Sequence, residues 1–188
     1  MLKEEIGIPK GLDVKYEDEM LTIKGSRGDA VRKLKNPHVK LGISGESITL
    51  TSQTERKKVK AIIGTWGAII RNMCAGVETG WKGELKLVYS HFPVKLKTEG
   101  NDLVIENFLG ERNSRKVPIP EDIKVEIKES NIIVHGNDKQ KVGQMCATIE
   151  QATKIRGYDK RVFQDGIYIT RKPYLEVEDE GRAAETQE

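Results

Sequence analysis

The chain has 188 residues, 37% hydrophobic and 32% charged, with 32 Lys and Arg against 29 Asp and Glu. That length fits one large domain or two small ones, and no run of 18 apolar residues suggests a membrane span. The charge is unevenly spread: residues 1–98 carry 18 basic and 11 acidic side chains, residues 99–175 carry 13 and 12, and residues 176–188 carry one and six. A basic body with an acidic end points to a polyanionic partner and a separate, solvated tail.

The first residues, Met-Leu-Lys-Glu-Glu-Ile-Gly-Ile-Pro, hold no long apolar stretch, so no signal peptide is expected. From there the chain reads as one unit written twice. Glu19 to Gly28 resembles Asn101 to Gly110, and Val39 to Ile43 resembles Ile123 to Ile127. Ile48 to Thr51 resembles Ile132 to His135, and Lys58-Val59 resembles Lys141-Val142. The offsets are 82, 84, 84 and 83 residues. A nearly constant offset over four blocks argues for tandem copies. Val39, Leu41 and Ile43 alternate with polar residues, as do Val125 and Ile127, which is the period of a strand.

A helix follows in each copy, near 53–75 and near 138–155. Ser52-x-x-Glu55 has the form of a capping box and Asn137-x-x-Gln140 is a looser one. Val59, Ile62, Ile63, Trp66, Ile69, Ile70 and Met73 fall on one side of the first helix. Val142, Met145, Cys146, Ile149 and Ala152 do so in the second. The expected fold is therefore α+β: two tandem duplicated domains, each a mainly antiparallel sheet packed on one core helix. The boundaries drawn are 1–97, 98–175 and a disordered acidic tail over 176–188. Trp81 to Tyr89 is expected as a hairpin-like strand at the join.

No catalytic constellation emerges. His38, His91 and His135 stand singly, without a ligand cluster at metal spacing. Ser90 and His91 are neighbours on an extended segment and point to opposite faces. Cys74 and Cys146 lack CxxC spacing and read as small buried hydrophobes in a reducing cytosol. Neither a metal nor a cofactor is expected. Positive charge remains. Arg56, Lys57, Lys58 and Lys60 open the first helix. Arg27, Arg32, Lys33 and Lys35 are expected as a loop cluster, with Arg112, Arg115 and Lys116 in the matching loop of the second copy. The second helix opens on polar donors, Lys139, Gln140 and Gln144. It leads into the strongest group, Lys154, Arg156, Lys160 and Arg161 flanking Tyr158, with Arg171 and Lys172 beyond the next strand. Cations supply salt-dependent attraction to phosphate, and a tyrosine can stack on a base or sugar, so RNA is the expected partner. An RNA-modifying enzyme would need a metal cluster or an acid–base pair, and a protein adaptor would need an exposed apolar patch.

Three segments resemble a known family. They are Gly136-x-Asp138-Lys139-Gln140-x-Val142-Gly143-Gln144, the stretch Arg161-Val-Phe163-Gln-Asp165-Gly166-Ile-Tyr168-Ile, and Leu87-Val-Tyr-Ser90-His91-Phe-Pro93-Val94. They look like the sixth protein of the large ribosomal subunit, in the branch shared by archaea and eukaryotes, over residues 1 to about 175. Tyr158-Asp-Lys-Arg-Val-Phe-Gln-Asp stands where the bacterial branch has a Gly/Lys-rich loop. The resemblance implies two duplicated α+β domains and a cytoplasmic, non-enzymatic role in translation. It implies binding to large-subunit rRNA, chiefly through the second domain. It also implies a place near the sarcin–ricin loop and stalk base, with neighbouring large-subunit proteins and elongation factors close by.

Overall fold

The computed structural model describes residues 2–45, 47–90, 92–159 and 161–176. His91, Lys160 and the acidic tail beyond residue 176 lie outside the described residues. The chain divides into two compact units, Met1–Gly80 and Trp81–Glu188.

The first unit runs β1 (Leu2–Gly7), β2 (Asp13–Glu17), β3 (Met20–Gly25), β4 (Gly28–Lys33), β5 (Lys40–Ser44), β6 (Ser47–Ser52) and α1 (Lys57–Glu78). Its strands form two antiparallel sheets of three, in the orders β1-β6-β5 and β2-β3-β4. Alternation decides which face is buried. Leu21 and Ile23 of β3 and Ile48 and Leu50 of β6 have no exposed surface. The helix lays Val59, Ile63, Trp66, Ile70, Met73 and Val77 across both sheets, all of them buried and at helical spacing.

The second unit repeats this plan with β7 (Trp81–Val88), β8 (Lys95–Glu99), β9 (Asp102–Glu106), a 3-10 turn (Phe108–Gly110), β10 (Arg115–Pro118), β11 (Ile123–Lys128), β12 (Asn131–Gly136) and α2 (Lys139–Ala152). It then adds β13 (Gly166–Leu175). The sheets are ordered β10-β9-β8 and β11-β12-β7-β13, again antiparallel. Leu103 and Ile105 occupy the places of Leu21 and Ile23, and Ile132 and Val134 those of Ile48 and Leu50. All four are fully buried. The duplicated α+β plan is thus present, with two sheets per helix where one was expected.

Several local expectations are corrected. Neither capping box forms. Ser52 is buried as the last residue of β6, opposite Leu2, and its hydroxyl accepts from the Thr54 amide at 3.1 Å, so α1 starts after Arg56 without a side-chain cap. Asp138, not Asn137, caps α2, its carboxylate accepting from the Gln140 amide at 2.8 Å. Arg32 and Lys33 belong to β4, and Arg115 and Lys116 to β10, rather than to loops. The segment expected at the join is a sheet-interior strand: β7 lies between β12 and β13, so the units meet at Gly80–Trp81 and not near residue 97.

Candidate nucleic-acid interface

The site is built where α2 ends. The final turn needs partners for its open carbonyls, and it takes them from elsewhere in the unit. Arg115 donates from Nη1 to the Ala152 carbonyl at 2.7 Å. Thr153, buried, donates from its hydroxyl to the Glu150 carbonyl at 3.2 Å and accepts from the Ile167 amide at 2.9 Å. One threonine therefore ties the end of the helix to the start of β13.

Between them the chain leaves and returns in a loop. Ile155 is buried and anchors its first limb. Gly157 has φ +81°, a left-handed turn that costs glycine little. Asp159 interrupts the run of cations for a structural reason. Its carboxylate accepts from the Arg161 amide at 2.9 Å, and its carbonyl accepts from the amides of Val162 and Phe163 at 3.1 and 2.9 Å. The loop is thus a held turn that presents Lys154, Arg156, Tyr158 and Arg161 to solvent. Tyr158 is half exposed and its ring lies 5.0 Å from that of Phe163, tilted by 57°.

The returning limb ends on Asp165, which is fully buried and accepts from the Ser90 amide at 3.0 Å and its hydroxyl at 3.3 Å. Asp165-Gly166, legible only as a turn signal, is therefore the clamp that joins the end of β7 to the start of β13. This also gives Ser90 a structural partner.

Of the remaining candidates, Arg115 reaches the end of α2, and the others lie on other segments of the unit. Lys139, Gln140 and Gln144 lie on the first turns of α2, whose 14 residues span about 20 Å at 1.5 Å per residue, so they stand at the far end of the helix from the loop. Lys139 Nζ sits 4.3 Å from the centre of the Trp81 ring, and the Arg171 guanidinium 3.3 Å from that of Tyr174. Gln140, Lys116, Arg112 and Lys172 lie towards solvent, as does Gln144 on its helix face. Arg115 is the clearest departure. It is half-buried, donates to both Glu111 carboxylate oxygens and to Ala152, and lies 4.4 Å over the Phe108 ring. Its guanidinium is engaged inside the fold. Hydrogen bonds from Arg115 in turn hold the Glu111 carboxyl below the ordinary carboxylate range.

Between α2, the loop and β13 lies an open cavity of about 370 Å³, lined in part by Thr153, Lys154, Phe163, Gln164, Asp165 and Tyr168. Read from sequence, Phe163 and Gln164 have no site role. The available signal was alternation in β13, where Tyr168 faces solvent between the inward Ile167 and the half-buried Ile169. Nothing here suits nucleophilic chemistry. Burial pushes the Cys146 thiol up to about 11 and raises that of Cys74, so both stay protonated near neutrality. Among the described residues no group of three or more His, Cys, Asp or Glu could hold a metal, and no helix is long and apolar enough to cross a membrane.

Comparison with known proteins agrees with this architecture. The profile of the family described as Ribosomal protein L6 matches twice, over residues 8–80 and 92–166, one match in each unit. The Large ribosomal subunit protein uL6 of Haloarcula marismortui is 40% identical over 173 residues, covering 92% of this chain and 97% of that protein. Those of Methanosarcina mazei and Methanobrevibacter smithii are 39% and 42% identical, covering 92% and 91% of this chain and 99% and 96% of their own. A doubled α+β unit, matched along both copies and by relatives of nearly equal length, places the chain in the ribosomal protein L6 family.

Proposed function

We propose that the chain is a structural, non-enzymatic component of the large ribosomal subunit in the cytoplasm, and that it holds large-subunit rRNA through the end of α2, the following loop and β13. The observation that carries this is the likeness along nine-tenths of the chain to proteins named as large-subunit components. The loop supplies the means, because a pinned turn aims Lys154, Arg156 and Arg161 outward beside Tyr158. Neighbouring large-subunit proteins are the other expected partners. The finer position, beside the sarcin–ricin loop and stalk base with elongation factors nearby, follows from the family resemblance. It is tested by directed hydroxyl-radical cleavage from an iron chelate tethered at Lys154→Cys in assembled subunits.

The binding role is tested by neutralising Lys154, Arg156, Lys160 and Arg161 together. Removing each phosphate-neutralising charge should flatten the log–log dependence of affinity on salt by about 0.7–0.9. The matched control neutralises Arg56, Lys57, Lys58 and Lys60, for which a smaller effect is expected. Wild-type affinity and slope in the first variant, shown to be folded, would overturn the assignment of this loop to RNA.

A further inference from the structure

The cavity beside the loop has a shape and lining that simple phosphate binding does not require. We propose that it receives one nucleobase turned out of the stack of the RNA held by the loop. The inference rests on the RNA-binding role above and names what one part of that site recognises.

Two aromatic side chains, Phe163 and Tyr168, stand in its lining. Tyr168 is 45% exposed, yet its ring is not free to swing: the hydroxyl donates to the Gln164 carbonyl at 3.0 Å, and the ring folds back over Gly166. A Cβ on Gly166 would stand 3.2 Å from Tyr168 Cζ, so the absence of a side chain there gives the ring its seat. Phe163, half-buried, also lines the cavity, and its ring touches that of Tyr158. Aromatic faces set before the ligand arrives lose little freedom on binding, and any base offers a flat face to match them.

The remaining lining mixes apolar Ile155 and Ile167 with polar groups that include Glu150, Thr153 and Gln164. The Thr153 hydroxyl is already committed to the Glu150 carbonyl and the Ile167 amide, whereas the exposed Gln164 has an amide that both donates and accepts, as the edge of a base requires. The volume, about 370 Å³, lies at the small end of ligand sites and suits a single ring system rather than a stretch of strand. Lys154 stands in the lining itself, with Arg156 two residues on, where the phosphates flanking an extruded nucleotide would pass. Single-stranded loops and bulges are the parts of RNA whose bases splay onto aromatic side chains in this way.

The test uses the full chain and large-subunit rRNA carrying 4-thiouridine or 6-thioguanosine. Photocrosslinks should fall on peptides containing Phe163, Gln164 or Tyr168 and identify the nucleotide. Replacing that nucleotide by an abasic one should weaken binding about 5- to 150-fold. Phe163→Leu with Tyr168→Leu should weaken it similarly without changing the salt slope, since every phosphate-binding cation is kept. On that double variant the abasic RNA should bind no worse than the intact RNA. Tyr168→Phe, which keeps the ring, should retain most of the affinity. Crosslinks confined to residues outside the cavity, or wild-type binding by folded leucine variants, would overturn the inference while leaving the loop's phosphate role intact. An unchanged slope in the four-charge variant would instead overturn the RNA role on which the inference rests.

Discussion

Gly83→Ala probes how closely α2 lies on its sheet. Gly83 faces Val134 in the β7–β12 ladder, while on the other side β13 pairs with its neighbours Lys82 and Glu84 across a break in register. A Cβ built there would lie 2.7 Å from Cys146 Sγ and 3.4 Å from Val142 Cγ1, two helix residues with no exposed surface. The atoms in the way belong to α2, so the clash is relieved by a shift of the helix or its side chains. Overpacking of this kind costs about 1–3 kcal/mol. Removing a glycine from the unfolded chain returns about 0.4–1 kcal/mol where the native conformation is tolerated. The net effect in the single variant then ranges from near zero to about 2.6 kcal/mol, so the informative quantity is a cycle. In a Cys146→Ala background the sulfur is gone, and Gly83→Ala should be neutral or slightly stabilising there. The coupling between the two sites should be about 1–3 kcal/mol, within the range for residues that touch. Urea midpoints at constant m-value, read on the full chain by a probe in the second unit, measure all four corners. Equal effects of Gly83→Ala in both backgrounds would refute the packing argument.

Other outcomes follow from the same geometry. Ile149→Ala, at a fully buried helix position, should cost about 2–5 kcal/mol, and an unchanged denaturant midpoint would mean that this face is not packed. Arg115→Lys keeps the charge but cannot reproduce the forked hold on Glu111 and Ala152. It should lower the melting midpoint while leaving the salt slope of RNA binding unchanged, and a flattened slope would restore Arg115 to the phosphate-binding set. The Glu111 carboxyl is held below its ordinary value of 4.5, so its contribution to stability is present above that pH and is lost as pH falls through the lower, folded value. The difference in stability between wild type and Glu111→Gln should therefore be constant from pH 7 to about 5 and fade below about 4, whereas a constant difference down to pH 2 would refute the pairing. Cys74 and Cys146, buried and with raised thiol pKa values, should resist iodoacetamide at pH 8 until the chain is unfolded. Rapid labelling of the native chain would contradict the packing.

Much of the core was legible because period translates directly into burial. Val39, most of the Val59-to-Met73 stripe and Val142, Met145, Cys146 and Ile149 went inside, whereas Leu41, Val125 and Ile127 are only half-buried and Ile43 is exposed. The offset of 82–84 residues announced the duplication. What escaped was choice of partner. Arg115 looks in sequence like any exposed cation, but the Ala152 carbonyl, 37 residues on, is an open helix end that needs a donor. Ser52 has the right residue three places on for a cap, yet pairing with β1 claims it first. Local pattern also placed the boundary too late, because β7 reveals its membership of the second unit only through strands that begin 43 and 78 residues after its last residue. At the candidate site the cations were visible. The cavity was not, since it is lined by residues whose meeting depends on Thr153 and Asp165 crossing between segments.

The order β11-β12-β7-β13 also sets a timetable for synthesis. Every strand and helix of the first unit is complete by Gly80, so that unit can close while the rest is still being made. The second unit begins with a strand that needs the last one. At about 5–20 residues per second, Trp81 leaves the synthesis site on the order of 5–20 s before Leu175 does. For that interval β7 has no partner on the side β13 will take, and Leu85 and Leu87 lie on a strand with an open edge. A nascent chain stalled before residue 166 would carry a finished first unit and a sticky, incomplete second one. The segment that completes the sheet also closes the loop proposed to face RNA, so this unit gains that strand and its proposed binding surface in the same step.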